Sequence, residues 1–145
     1  MVRTTALIGA LLLAGCDGGQ PVTAADAASA IPITAENLVL EFRSNGVAAG
    51  ERYQGPVIVE GVVERVTAAS GGVANVSFRA RGGAFGAGMT PASESWAAQL
   101  QPGMRAAVLC PRPLYVLGAV ISRQCVPHDL APVATKRARR NKHSR

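Results

Sequence analysis

Aromatic side chains are scarce in this sequence: one Trp, two Tyr and three Phe, 4% of its 145 residues. So few cannot fill a core and also lay out a broad surface for stacking nucleobases, which needs exposed aromatics interleaved with basic residues. Histidine is rarer still. His128 and His143 both fall beyond the last expected strand, without a Cys/His partner at zinc spacing, so no metal site is expected. No Gly-x-Ser-x-Gly elbow is present. The glycine-rich stretch at 82–88 lacks the Gly-Lys-Ser/Thr of a P-loop and the setting of a dinucleotide fingerprint, and reads as a flexible connection. No long apolar run exists either. The longest, residues 6–14, falls short of the ~20 residues a membrane-spanning helix needs. No catalytic residue and no cofactor are expected. Glu60 and Glu64 sit i, i+4 on one strand, and a solvated face explains them better than a paired-carboxylate site.

What is present begins at the N-terminus. Arg3, the apolar run and the small residues that follow form a secretory signal. Leu13-Ala14-Gly15-Cys16 resembles the lipobox of bacterial lipoproteins. That resemblance implies cleavage before Cys16, acyl chains on it, and a lipid-anchored protein on the periplasmic face of the cell envelope. Asp17 resembles an inner-membrane retention signal, a rule that varies between bacteria, so the choice of membrane stays open. The expected organisation is a signal peptide at 1–15, a flexible tether at 16–32, one small domain at 33–127 and a basic tail at 128–145. The formal charge of +6 belongs to the tail, where Lys136, Arg137, Arg139, Arg140, Lys142 and Arg145 cluster. Such a run stays solvated and could attract anionic lipid at about 1 kcal/mol per basic residue. Nucleic acid is the poorer expectation, because export removes the tail from the cytoplasm. With Cys16 used by the anchor, Cys110 and Cys125 remain as an even pair in an oxidising compartment, and a disulfide is expected between them. Bridging them requires the chain to reverse near Leu117-Gly118 instead of immediately after Cys110.

Along the domain, Thr34 can cap a helix whose Leu38, Val39 and Phe42 share a face, ending at Ser44-Asn45-Gly46. The segment 48–55 then leads into a strand over 57–66, with Gly61 breaking its middle. Residues 73–81 alternate, placing Ala74, Val76, Phe78 and Ala80 inward and Asn75, Ser77, Arg79 and Arg81 outward. A possible third strand falls in the glycine-rich region. Pro91 opens a short helix to about Leu100, with Trp96 and Leu100 toward the core, and strands follow over 104–110 and within 115–125. This order gives a mainly β fold, a small five-stranded OB-like barrel with an N-terminal helix and a short helix before the fourth strand.

Tyr53-Gln54-Gly55 followed by Val57-Ile58-Val59-Glu60-Gly61-Val62-Val63, then Leu100-Gln101-Pro102-Gly103-Met104-Arg105-Ala106-Ala107-Val108, then Cys110 and Cys125 around Leu117-Gly118, together resemble the OB-fold family called tRNA_anti-like. The resemblance spans about residues 33–126. It implies an envelope lipoprotein and supplies no catalytic residue. The expected function is a non-enzymatic binding module for an envelope protein or glycan, with extracytoplasmic nucleic acid as the alternative. The candidate binding residues are Arg79 and Arg81, sharing a strand face, and the two tyrosines Tyr53 and Tyr115.

Overall fold

The computed structural model describes residues 22–68 and 72–129. The expected signal peptide at 1–15, Cys16 and the expected tail from residue 130 onward lie outside the described residues. The first described element is helix α1 (Ala24–Ser29), where the Thr23 hydroxyl and N–H both donate to Asp26 Oδ2. Strand β1 (Ile31–Thr34) follows and runs parallel to the start of strand β2 (Val57–Ala68). The tether expected over 16–32 is therefore corrected. Its second half is an alanine-rich helix followed by a strand whose Ile31 and Ile33 pack against the core.

Helix α2 (Ala35–Ser44) starts as its sequence dictates. Thr34 Oγ1 accepts the Asn37 N–H at 3.2 Å, and Ala35, Leu38, Val39 and Phe42 are buried. Asn45 ends this helix and caps the next, its Oδ1 accepting the Ala48 N–H at 3.1 Å. The segment expected as a lead-in is thus helix α3 (Gly46–Arg52).

Strands β3 (Ala74–Ala80), β4 (Gly83–Met89), β5 (Arg105–Cys110) and β7 (Ala119–His128) complete the barrel with β2. The ring closes in the order β2–β3–β4–β7–β5 and back to β2, antiparallel at every junction except the parallel β4–β7 pair. Residues 57–60 of β2 pair with β1 on one edge and β5 on the other, so β1 covers an edge the barrel would leave bare. Gly61 is needed for close approach: a Cβ there would lie 3.1 Å from both Ala35 Cβ and Phe78 Cδ1. The bend in β2 comes at Glu64, where the pairing with β3 shifts register.

The glycine-rich stretch is strand β4, contrary to the flexible connection its composition suggested. Phe85, Ala87 and Met89 alternate inward and are buried, so a period of two survives among the glycines. Gly82 turns the chain at φ 72°, and Arg43 Nη1 donates to its carbonyl at 2.7 Å over a space that a side chain would occupy. Between β4 and β5, a 3₁₀ turn (Pro91–Ser93) runs into helix α4 (Glu94–Ala97), shorter than the helix expected there. Trp96 and Leu100 rest half-buried on the core.

Cys110 and Cys125 form a disulfide with Cα atoms 4.3 Å apart, one step beyond the Leu109–Val126 pair of β5 and β7. The expected reversal occurs at Leu117-Gly118, both at positive φ, which folds short strand β6 (Leu114–Val116) back on the start of β7. The single strand expected within 115–125 is thus a hairpin. Among the described residues no helix is long and apolar enough to cross a membrane.

Candidate functional site

The outer face of β3, β4 and β7 carries a groove of about 450 Å³. Its floor is almost without side chains, because the outward positions of β4 are Ala84, Gly86 and Gly88. Register places these residues in rows. Arg65, Ser77, Gly86 and Ile121 cross four strands in one row, and Thr67, Asn75 and Gly88 form the next, with Arg123 beside Gly88. Ile121 forms one wall: a Cβ on Gly86 would touch its Cγ2 at 3.6 Å. Asn75 Oδ1 reaches to 3.7 Å from the corresponding point on Gly88.

Arginines frame this floor. Arg65 and Arg79 lie on its β2–β3 side and Arg123 on its β7 side, all exposed. Among the described residues, none of the three has a carboxylate within ion-pairing distance, whereas Arg52, Arg81 and Arg105 do. Arg123 lines the groove itself, whose walls supply no acid, while Arg65 and Arg79 stand outside it on the same sheet face. At its end, β7 carries one extra residue relative to β4. Gln124 takes the strain there, with φ of 60° in the left-handed region that costs a non-glycine residue about 1 kcal/mol. A bulge of this kind re-aims neighbouring side chains at a rim. Buried Ser122 steadies it, its hydroxyl donating to the Arg112 carbonyl at 3.0 Å.

The residues expected to bind are only partly assembled here. Arg79 belongs to the groove's frame. Arg81 does not, because β3 ends at Ala80 and its guanidinium turns to Glu36 at 2.9 Å. Tyr53 is no stacking surface: it is wholly buried, packs on Phe42, and donates from its hydroxyl to Glu41 Oε2 at 2.7 Å. Burial, then the hydrogen bond and negative charge of Glu41, pushes its pKa up to about 12. Tyr115 is 43% exposed, but pairs with core-facing Val120 and lies against Phe42, away from the groove. Glu60 is held by Arg105 and does not pair with Glu64. Among the described residues no cluster of His, Cys, Asp or Glu could hold a metal ion.

Arg65, Arg123, Gln124 and the two floor glycines were not legible as a site. Their proximity follows from strand pairing, β2 through β3 to β4 and β4 parallel to β7, which joins residues far apart in the chain.

Among solved structures, the chain is similar to one named "putative nucleic acid-binding lipoprotein" from Klebsiella pneumoniae subsp. pneumoniae MGH 78578. That match has a TM-score of 0.58 at 18% identity and covers 76% of this chain and 100% of the other. The barrel is OB-like. A similarity to a "putative aspartyl-tRNA synthetase" from Leishmania major Friedlin has a TM-score of 0.45 at 14% identity, over 77% of this chain and 24% of that one. No family model matches the chain, and no curated protein does, so the tRNA_anti-like resemblance rests on its residue motifs. The neighbour's name does not bear out the expectation that nucleic acid is an unlikely partner, and at 18% identity the likeness shows the fold alone.

Proposed function

We propose that this protein is a lipid-anchored envelope protein whose OB-like barrel is a non-enzymatic binding module for a single-stranded nucleic acid. The observation that carries this reading is the arginine-framed, glycine-floored groove. An extended polyanion can lie on a floor without side chains while Arg65, Arg79 and Arg123 reach its phosphates. The name of the Klebsiella pneumoniae protein of the same fold supports it. So does the lipobox-like Leu13-Ala14-Gly15-Cys16 for the anchor, with acyl chains on Cys16 as the membrane contact. The groove presents no aromatic platform. Phosphate contacts therefore dominate, and binding is tolerant of sequence.

Titration of a fluorescent oligothymidylate against salt tests this. Neutralising three phosphates of a single strand gives a log–log slope of about −2, and each Arg→Gln change removes about 0.7 of it. Gly88→Leu, which fills the floor, should abolish binding while the thermal transition is retained. No binding of the oligonucleotide at low salt by the wild-type chain would falsify the nucleic-acid reading. The module would then be left to an envelope protein or glycan, which the apolar wall of Val73, Pro91 and Ile121 could serve.

A further inference from the structure

The hairpin formed by β6 and β7 is exposed and apolar at its tip. Leu117 is 102% exposed, and Leu114 and Val116 are 48% and 43% exposed. Leu114 and Val116 pair with Ile121 and Ala119, so they share the hairpin's outer face, while Tyr115 holds the other face against Phe42. The hairpin is braced on α3, where Gly46 approaches the Tyr115 ring. It is thus a firmly seated projection with a bare leucine at its end. That leucine occupies the first position of a two-residue turn with φ of 50°, where asparagine, aspartate or glycine fit without strain. Folding alone favours a different residue there.

Two observations indicate what meets this tip. First, the hairpin and its lead-in, residues 111–122, carry exposed Arg112 and no acid, so nothing on them repels anionic headgroups. Second, the chain from Cys16 enters the barrel at the hairpin's own base. Ile31 pairs with Val57, and Val57 pairs in turn with Cys110, where the hairpin departs. We propose that the Leu114–Leu117 tip inserts into the headgroup–acyl boundary of the bilayer to which the protein is anchored. A single apolar loop binds a bilayer marginally by itself, and a second attachment makes such contacts persist. The proposal rests on the lipid-anchor reading of Cys16. A docked tip would fix the barrel's orientation on the membrane.

The experiment uses the full-length acylated protein reconstituted in vesicles of phosphatidylethanolamine and phosphatidylglycerol. With Leu117→Trp, the introduced indole should shift to the blue and be quenched by brominated phospholipid, an effect absent from the parent protein with Trp96 alone. Leu117→Asn should raise the thermal midpoint, because asparagine suits the turn, yet speed transfer of the protein between vesicles about tenfold. An acylated chain whose indole stays unquenched, or whose transfer is unchanged in Leu117→Asn, overturns this proposal alone. An indole shielded before vesicles are added, in a concentration-dependent manner, assigns the tip to a second copy and overturns it as well. A chain with no acyl group on Cys16 by mass spectrometry removes the anchor reading and this proposal together.

Discussion

Tyr53 shows how far a single residue's environment can differ from what its side-chain chemistry suggests. A tyrosine between Arg52 and Gln54 looks available for stacking, yet its ring fills the core beneath the Arg52 guanidinium, 5.4 Å from its centroid, and its hydroxyl donates to Glu41. Its pKa is raised from 10.0 to about 12, so the fold favours the neutral phenol. The stability this contributes is fully present below the unfolded value and is lost as pH rises through the folded one. Wild-type protein should therefore lose stability between about pH 10 and 12, followed by denaturant midpoint. Tyr53→Phe should cost about 1 kcal/mol at neutral pH and lack that alkaline component. An unchanged alkaline loss in the variant would assign it to other groups. Gln124 and Leu117 make the complementary case. Both are non-glycine residues at positive φ, one at the groove's rim and one at the hairpin tip, where local strain coincides with exposure.

At the level of elements, the strongest periodic signals are legible in the sequence and the weak ones are lost in glycine and alanine. The cap at Thr34, the Leu38–Val39–Phe42 face of α2 and the alternation of β3 rest on large apolar side chains, and each forms as expected. Strand β4 has the same alternation, but glycines at its outward positions made it resemble a loop; Phe85, Ala87 and Met89 were the available clue. Helix α1 and strand β1 were hidden in a stretch of small residues and form with tertiary support, β1 through its parallel ladder on β2. The groove was least legible, because it depends on which strands become neighbours. The cysteine pair was the clearest long-range signal, and the reversal at Leu117-Gly118 followed from it. The disulfide closes a loop of 15 residues between β5 and β7, which the chain-entropy account values at about 3 kcal/mol. Reduction should lower the denaturant midpoint accordingly. Cys110→Ala with Cys125→Ala should reproduce the loss in the absence of reductant, and an unaffected midpoint would show that β-sheet pairing alone holds the hairpin's base.

For the whole molecule, the proposed acylation of Cys16 would decide whether the barrel works at a membrane. Cys16→Ser should accumulate as uncut, unacylated precursor, seen as a higher mass on immunoblot and no incorporation of labelled palmitate. A variant still processed at Gly15 and equally membrane-bound would refute the anchor. The boundary at Ala24 then acquires a geometric meaning. A tether lasting to residue 32 would allow an excursion of roughly 55 Å at full extension, but only seven residues separate Cys16 from the first helix. Eight steps of chain span at most about 29 Å. On the proposed lipid-anchor reading of Cys16, the start of the first helix would be held within about that distance of the membrane. Encounters with ligand would then be confined to a thin layer above the lipid, and the groove would patrol a surface instead of sampling a volume.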